Sequence, residues 1–309
     1  MDEEFYHEPV LLNETILYLL GKTGSSKDAH RVYVDCTLGG GGYTKKILED
    51  TSEDTRVLAI DRDVYAVRHT KSVLSEYGSR VIFSQSNFGD IKKIVSDEGL
   101  ETIDGIVMDL GLSTYQLSSE AGFSYQKDTS LDMRADKSQQ LTAADVLNTY
   151  SAQELAEILY KFGEMRYSRQ IAAEIVQQRS ETKFETTFQL VELLKKKVPP
   201  RFLNSDLSRL FQAIRIEVNN ELENLERVLK DSVDLLSEGA RIVAVSYHSL
   251  EDRIVKNALR ADEGLRVLTK KPVEATEEEI AANIRSRSAK LRAAEKNSEK
   301  KLSKNKYRQ

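Results

Sequence analysis

An open, mostly parallel α/β sheet interrupted by an all-α insertion is the fold the sequence predicts, and three observations predict it. Short β-rich runs alternate with helical patterns in the first third of the chain, four consecutive glycines follow the first such run, and roughly ninety residues of purely helical signal come next.

The strands are expected at Arg31–Cys36, Arg56–Asp61, Val81–Gln85 and Ile103–Leu110, each followed by turn residues or a helical stretch. After Gly111 the alternation stops. Ser151-Ala-Gln-Glu154 reads as a capping box that opens a helix with Leu155, Ile158, Leu159 and Phe162 on its apolar face. Further helices are expected over Arg169–Gln178 and Thr187–Lys197, the latter stopped by Pro199-Pro200. Phe211, Ile214, Val218, Leu222, Leu225 and Leu229 then recur at helical spacing, with Gly239 as the C′ residue. Arg241–Ser246 is apolar as a strand buried on both faces should be. From Glu274 onward acidic and then basic sequence reads as mostly helical or irregular. The expected division is a discontinuous α/β domain over residues 1–118 and 207–309 and a helical domain over residues 119–206.

The composition narrows the class. With 31% charged and 40% hydrophobic residues, 4 Pro and 15 Gly in 309 residues, the chain reads as globular rather than disordered or fibrous. A single cysteine, Cys36, excludes a disulfide framework, and no apolar run approaches the roughly 18 residues of a membrane span. Met1–Tyr6 is acidic and lacks the apolar core of a signal peptide, so the cytoplasm is the expected compartment. The four histidines, His7, His30, His69 and His248, form no zinc-spaced cluster with Cys36, and no metal is expected. The net charge of −5 hides an asymmetry, because Ile284–Gln309 carries ten Lys or Arg against two Glu. Such a tail can be merely solvated or can neutralise phosphates.

The first strand ends in Asp35-Cys36-Thr37-Leu38-Gly39-Gly40-Gly41-Gly42-Tyr43, with a helix expected from Thr44. Four glycines in succession are entropically costly unless the backbone must approach something closely. Strand, glycine-rich turn and helix N-terminus make the nucleotide-binding corner of an open α/β sheet. Asp61, at the end of the second strand and 22 residues after Gly39, is placed to accept both ribose hydroxyls. A dinucleotide site would require glycine at position 44, which is Thr44, and Asp35 is suited to the ammonium of a methionine moiety. S-adenosylmethionine is therefore favoured over a nicotinamide or flavin cofactor. Phe88, in Asn87-Phe88-Gly89-Asp90, can pack on adenine or belong to the core, and Asp109, closing the fourth strand, can face the cofactor or cap a helix.

The strings Asp35–Tyr43, Asp104–Gln116, Gly122–Asp136, Phe162–Arg166, Phe211–Leu222, Ser246–Lys256 and Ile284–Lys296 together resemble the small-subunit ribosomal RNA cytosine-N4 methyltransferases, the RsmH or MraW family. The likeness runs from His7-Glu8-Pro9-Val10-Leu11 nearly to the C-terminus, and Ser246-Tyr247-His248-Ser249-Leu250-Glu251-Asp252-Arg253 is long and specific. It implies a class I S-adenosylmethionine-dependent, Rossmann-like methyltransferase with an inserted helical substrate-recognition domain. The implied substrate is a cytidine in the decoding region of 16S ribosomal RNA within the small subunit, and a homodimer is allowed. The family's cofactor contacts fall on Gly41, Gly42, Tyr43, Asp61, Phe88, Asp109 and Gln116, with Asp35 and Gly39 added from the loop. Tyr43 stands where the family has histidine, Tyr115 and Ile284 where it has proline, and Met165 where it has glutamate.

Methylation of a cytosine amine requires an acceptor for its proton, because the N4 lone pair is delocalised into the ring. Asp109 is the first candidate, aided by backbone carbonyls from Leu110 to Ser113. Ser113 and His248 complete the candidate catalytic set, His248 by contacting an extruded base or relaying its proton. Asp132, Arg134, Arg215 and Asn219 can hold RNA or brace the insertion against the sheet. Arg62, Arg134, Arg166, Arg169 and the tail from Arg285 are candidate phosphate contacts. The rival readings are a nicotinamide-linked oxidoreductase and an RNA-binding assembly factor that holds the cofactor without turnover.

Overall fold

The computed structural model describes residues 9–21, 30–111 and 122–298, and the chain divides into two compact units, residues 1–111 with 222–309 and residues 112–221. In chain order the first unit supplies α1 (Leu12–Leu20), β1 (Val32–Asp35), α2 (Gly42–Asp50), β2 (Arg56–Asp61), α3 (Val64–Val73), β3 (Val81–Gln85), α4 (Ile91–Asp97) and β4 (Ile103–Asp109). The second unit supplies α5 (Ala143–Thr149), α6 (Ala152–Lys161), α7 (Ser168–Glu181), α8 (Thr187–Lys195) and α9 (Pro200–Asn219). The chain then returns through α10 (Glu221–Leu235), β5 (Leu236–Ser246), α11 (Ser249–Ala261), β6 (Leu265–Val267), α12 (Glu277–Ala282) and β7 (Lys290–Lys296).

The seven strands form one sheet in the order β3-β2-β1-β4-β5-β7-β6. The first five are parallel, and β7 runs antiparallel to both β5 and β6. That order with a reversed β7 is the class I methyltransferase fold. Alternation along the strands divides the core between two faces. Val34, Leu58, Ile60, Ile106 and Met108 pack with α4, α10 and α11, whereas Tyr33, Val57, Ala59 and Val107 pack with α1 and α2. Both faces being covered, the central strands are nearly continuous apolar runs, each fully buried side chain contributing about 1.5–3 kcal/mol.

Three expectations are corrected here. The amphipathic run through Phe211 and Leu229 is two helices, because Asn220 adopts a left-handed conformation (φ 49°, ψ 42°) that asparagine tolerates and a helix does not. The helical unit therefore extends to Glu221 rather than residue 206: Leu207, Leu210, Phe211, Ile214 and Val218 of α9 belong to its core. Gly239 is not a helix C′ residue. It lies inside β5 at φ 78°, where β5 runs from Leu236 to Arg241 while β4 advances only from Ile103 to Gly105. Within the tail, Lys290–Lys296 is a strand. Its Arg292 makes a bidentate pair with Asp252 (2.6 and 3.0 Å), and Lys296 donates to the Val233 carbonyl (2.6 Å). Those two cations serve the fold.

Within the helical unit, α5, α6 and α8 each open on a capping box, Thr142 with Asp145, Ser151 with Glu154 and Thr186 with Gln189. Asn219, wholly buried, accepts from the Ala135 N–H (2.9 Å) and donates to the carbonyls of Met133 (2.8 Å) and Arg215 (2.9 Å). Met133 is held at a left-handed φ of 57°. Arg215 grips Glu221 through two 2.9 Å contacts, and Arg134 grips Asp132 at 2.7 and 3.1 Å. Each of these four residues thus makes polar contacts within the helical unit. Asn219→Ala strands a buried N–H and two carbonyls, and is expected to cost about 3 kcal/mol. The urea midpoint should fall; an unchanged midpoint would remove that structural role.

Candidate functional site

The parallel strands deliver three carboxylates to one edge of the sheet. Asp35 pairs in register with Ala59 and Val107, so Asp61 on β2 and Asp109 on β4 each stand two residues further along. The strand order reverses between β1 and β4, the switch point at which open α/β sheets bind ligands outside the carboxyl ends of their strands.

The glycine loop is tied to this edge. The Leu38 N–H donates to the Ile60 carbonyl (2.9 Å), the Gly39 N–H to Asp61 Oδ2 (2.8 Å), and the Thr70 hydroxyl to the Gly39 carbonyl (2.8 Å). Gly41 has φ 82°, and a Cβ there would lie 2.5 Å from Thr70 Cγ2. A Cβ on Gly42 would lie 2.1 Å from the Pro9 ring. Gly41 and Gly42 are therefore demanded by packing on Thr70 and Pro9. At Gly39 a Cβ would approach nothing closer than 3.7 Å.

The reading of Asp35 changes at this loop. Asp35 is wholly buried, and its oxygens accept from the Thr37 N–H (3.1 Å) and the Thr44 hydroxyl (2.7 Å). It fastens the loop from within rather than standing open to an ammonium group. Burial pushes its carboxyl up to about 6, against the lowering effect of those hydrogen bonds. Tyr43 is buried too, its hydroxyl donating to the Val10 carbonyl. Its side chain belongs to the core, which is how a tyrosine is accommodated at that position.

Asp61 accepts from the N–H groups of Gly39 and Asp63 (2.8 and 2.9 Å), and burial raises its carboxyl above the usual range. Phe88 opens a short 3-10 turn after β3 and is half-buried against the core. Asp109 is anchored by its own N–H, which donates to the Thr37 hydroxyl (2.7 Å). The neighbouring Tyr247 hydroxyl and Gly111 backbone N–H lower its carboxyl, while Oδ1 is buried with no hydrogen-bond partner among the described residues. Burial is the main cause that pushes Asp109 up to about 6, with Tyr247 and the Arg285 charge opposing it. Gly111 leaves room for the Tyr247 ring, which a Cβ would meet at 2.6 Å. Desolvation and the Asp109 charge raise the Tyr247 hydroxyl far above its ordinary value, so it remains a donor.

His248 is the N-cap of α11: its Nδ1 accepts from the Glu251 N–H (3.4 Å), and Glu251 accepts in return from the Tyr247 N–H (2.9 Å). With Nδ1 an acceptor, neutral His248 carries its proton on Nε2. That nitrogen lies 3.1 Å from Glu251 Oε1 without hydrogen-bond alignment, and is buried with no hydrogen-bond partner among the described residues. Ser113 and Gln116 lie outside the described residues. Thr37, Thr44 and Tyr247 were not singled out by the sequence. The signal for Thr44 was present, since the missing third glycine of the dinucleotide pattern is the residue that donates to Asp35.

The family model for the MraW methylase family matches residues 4–297. The chain belongs to the MraW methylase family. Relatives of this MraW-family chain include the proteins named ribosomal RNA small subunit methyltransferase H from Carboxydothermus hydrogenoformans, 46% identical over 95% of this chain and 98% of the relative, and from Desulfotalea psychrophila, 43% identical over 96% and 100%. The MraW-family protein is an S-adenosylmethionine-dependent methyltransferase. Its residues fit that cofactor: a glycine-rich turn open at Gly39, a carboxylate at the end of β2, and an orphaned buried oxygen on Asp109 at the end of β4.

Proposed function

We propose that this MraW-family methylase methylates the N4 amine of a cytidine in the decoding, P-site region of 16S ribosomal RNA within the small subunit, in the cytoplasm. The observation that carries the reaction type is Asp109, a buried carboxylate whose Oδ1 is unpartnered among the described residues, at the end of the strand beside the switch point. The names of the relatives support the RNA, and the resemblance in the Ser246–Lys256 string supports the cytidine. No described helix is long and apolar enough to cross a membrane.

S-adenosylmethionine, when bound, supplies a methyl group on a sulfonium whose departure as a thioether needs no further activation. The glycine turn and Asp61 would hold the nucleoside end and Phe88 would flank the adenine, leaving the edge at Asp109 for the reacting amine. Ionised above about pH 6, Asp109 accepts a proton from N4 and lets that nitrogen pyramidalise as its new bond to carbon forms. Oδ1, buried without a hydrogen-bond partner among the described residues, is the accepting atom. The His248 Nε2–H is a donor suited to an acceptor on the base. Positioning of these groups is the main contribution asked of the protein.

The decisive test incubates the protein with labelled S-adenosylmethionine and small subunits from cells lacking the modification, then locates the labelled nucleoside by mass spectrometry. N4-methylcytidine at one decoding-region position is expected. Cofactor binding without label in any form of the subunit would overturn the reading in favour of a binding-only assembly factor.

A further inference from the structure

We propose that the turn joining α6 to α7, together with Arg209 of α9, is a stacking platform for single-stranded RNA, engaging bases with Tyr160 and Tyr167 and phosphates with Lys161, Arg166, Arg169 and Arg209. It rests on the proposed RNA substrate and adds where on the helical unit that RNA is gripped.

The two tyrosines are 70% and 63% exposed, well beyond what aromatic rings of this size ordinarily show to water without a partner. The four cations are exposed as well, and Glu164 is the only acidic residue between Tyr160 and Arg169. Lys45, Lys46, Lys92, Lys93, Lys195 and Lys197, by contrast, each lie within 4.0 Å of a carboxylate. Arg166, Arg169 and Arg209 have no such neighbour among the described residues. A chain of net charge −5 thus keeps an unpaired positive patch interleaved with exposed rings, the pairing that binds unstacked bases and their phosphates. An acidic peptide would use the cations and leave the rings without a role.

The platform is built in advance. The Phe162 carbonyl accepts from Gln212 Nε2 (2.9 Å), and Met165 is buried beneath the turn with its N–H on the Leu159 carbonyl (3.1 Å). A Cβ on Gly163 would lie 2.8 Å from the Leu159 carbonyl oxygen and 2.9 Å from that of Arg209, so α9 backs the turn closely. Glu164 is held at a left-handed φ of 49°. Such backbone strain persists where the surroundings over-determine it, and a surface ordered before binding loses little entropy on engagement.

The test compares the full-length parent with Tyr160→Ser/Tyr167→Ser and Arg166→Gln/Arg169→Gln, all four positions being exposed. Fluorescence anisotropy reads the binding of a labelled unstructured RNA of about 15 nucleotides across a salt series, and steady-state kinetics read KM for small subunits. The tyrosine pair is expected to weaken RNA binding about tenfold or more with its salt slope unchanged. The arginine pair is expected to flatten the slope of log K against log salt by about 1.4. Melting temperature and S-adenosylhomocysteine affinity should be unchanged in both. Variants that match the parent in RNA affinity and KM overturn the platform. Loss confined to the arginine pair overturns stacking and points to a docking face for any polyanion, an acidic protein included. A parent that binds S-adenosylhomocysteine but neither binds nor methylates RNA overturns the function and the platform together, an outcome distinct from the other two.

Discussion

Asp109→Asn is expected to lower kcat by about 10²- to 10⁴-fold, the range that removal of a positioned general base produces. The amide keeps the shape of the carboxylate and its anchorage, since the Asp109 N–H bond to Thr37 belongs to the backbone. What it loses is an acceptor strong enough to take a proton from N4. Cofactor affinity should fall far less than kcat, which isothermal titration with S-adenosylhomocysteine separates from single-turnover rates. For the parent, kcat should rise with pH through about 6 and then level, because Asp109 must be ionised to accept. Asp35 is also pushed up to about 6 and feels the Asp109 charge, so the apparent value belongs to the pair. Arg285, Glu251 and Tyr247 are the other groups whose charge or hydrogen bonding reaches Asp109.

The same substitution carries a stability signature of opposite sign. The folded-state pKa of Asp109 lies above its unfolded value, so the folded chain binds the extra proton between about 4 and 6. Stability from this group is present below the unfolded pKa and is lost as pH rises through about 6. At neutral pH the buried charge is a standing destabilisation. Asp109→Asn should therefore melt a few degrees higher than the parent at pH 7.5, with the advantage vanishing near pH 4. A variant that retains parental kcat, or that melts lower at neutral pH, would show that the carboxylate is a structural cap rather than the base.

Legibility from sequence tracks how local the determining forces are. The first four strands, the glycine loop and the Ser151 capping box are set by patterns a few residues long, and they fall where that pattern puts them. The break at Asn220 was hidden because apolar spacing continues through it, from Val218 to Leu222, although one left-handed residue redirects the chain. β7 was hidden for a different reason. Its core residues Leu291, Ala293 and Ala294 are mostly alanine, and its charged positions look solvated until Asp252 and the Val233 carbonyl meet them across the fold. Local preference is overridden there by sheet pairing with β5 and β6. Tyr247 sits in a recognised string, yet its influence on a carboxylate 138 positions away in sequence required the register of β4 against β5, in which Asp109 pairs with Val245. Tyr43 is the converse case: its place in the motif was legible, its inward direction was not.

Asp61→Ala is expected to weaken S-adenosylhomocysteine binding by about 10²- to 10⁴-fold, the equivalent of two charge-assisted hydrogen bonds to the ribose hydroxyls. Part of that loss runs through the loop, because the Gly39 N–H donates to Asp61 Oδ2 and the alanine leaves it without that acceptor. Asp61→Asn separates the two contributions. Its carbonyl oxygen can still serve one N–H of the loop, but the charge and one ribose acceptor are gone, so an intermediate loss of about tenfold is expected. Asp35→Asn supplies the contrast: Asp35 is sealed beneath the loop by Thr37 and Thr44, so its replacement should alter loop stability more than ligand contact. Calorimetric titration of all three variants, with melting curves as the control for folding, ranks them. If Asp35→Asn loses more affinity than Asp61→Ala, the ligand's polar contacts lie nearer β1 than β2, and the assignment of the ribose to Asp61 is wrong.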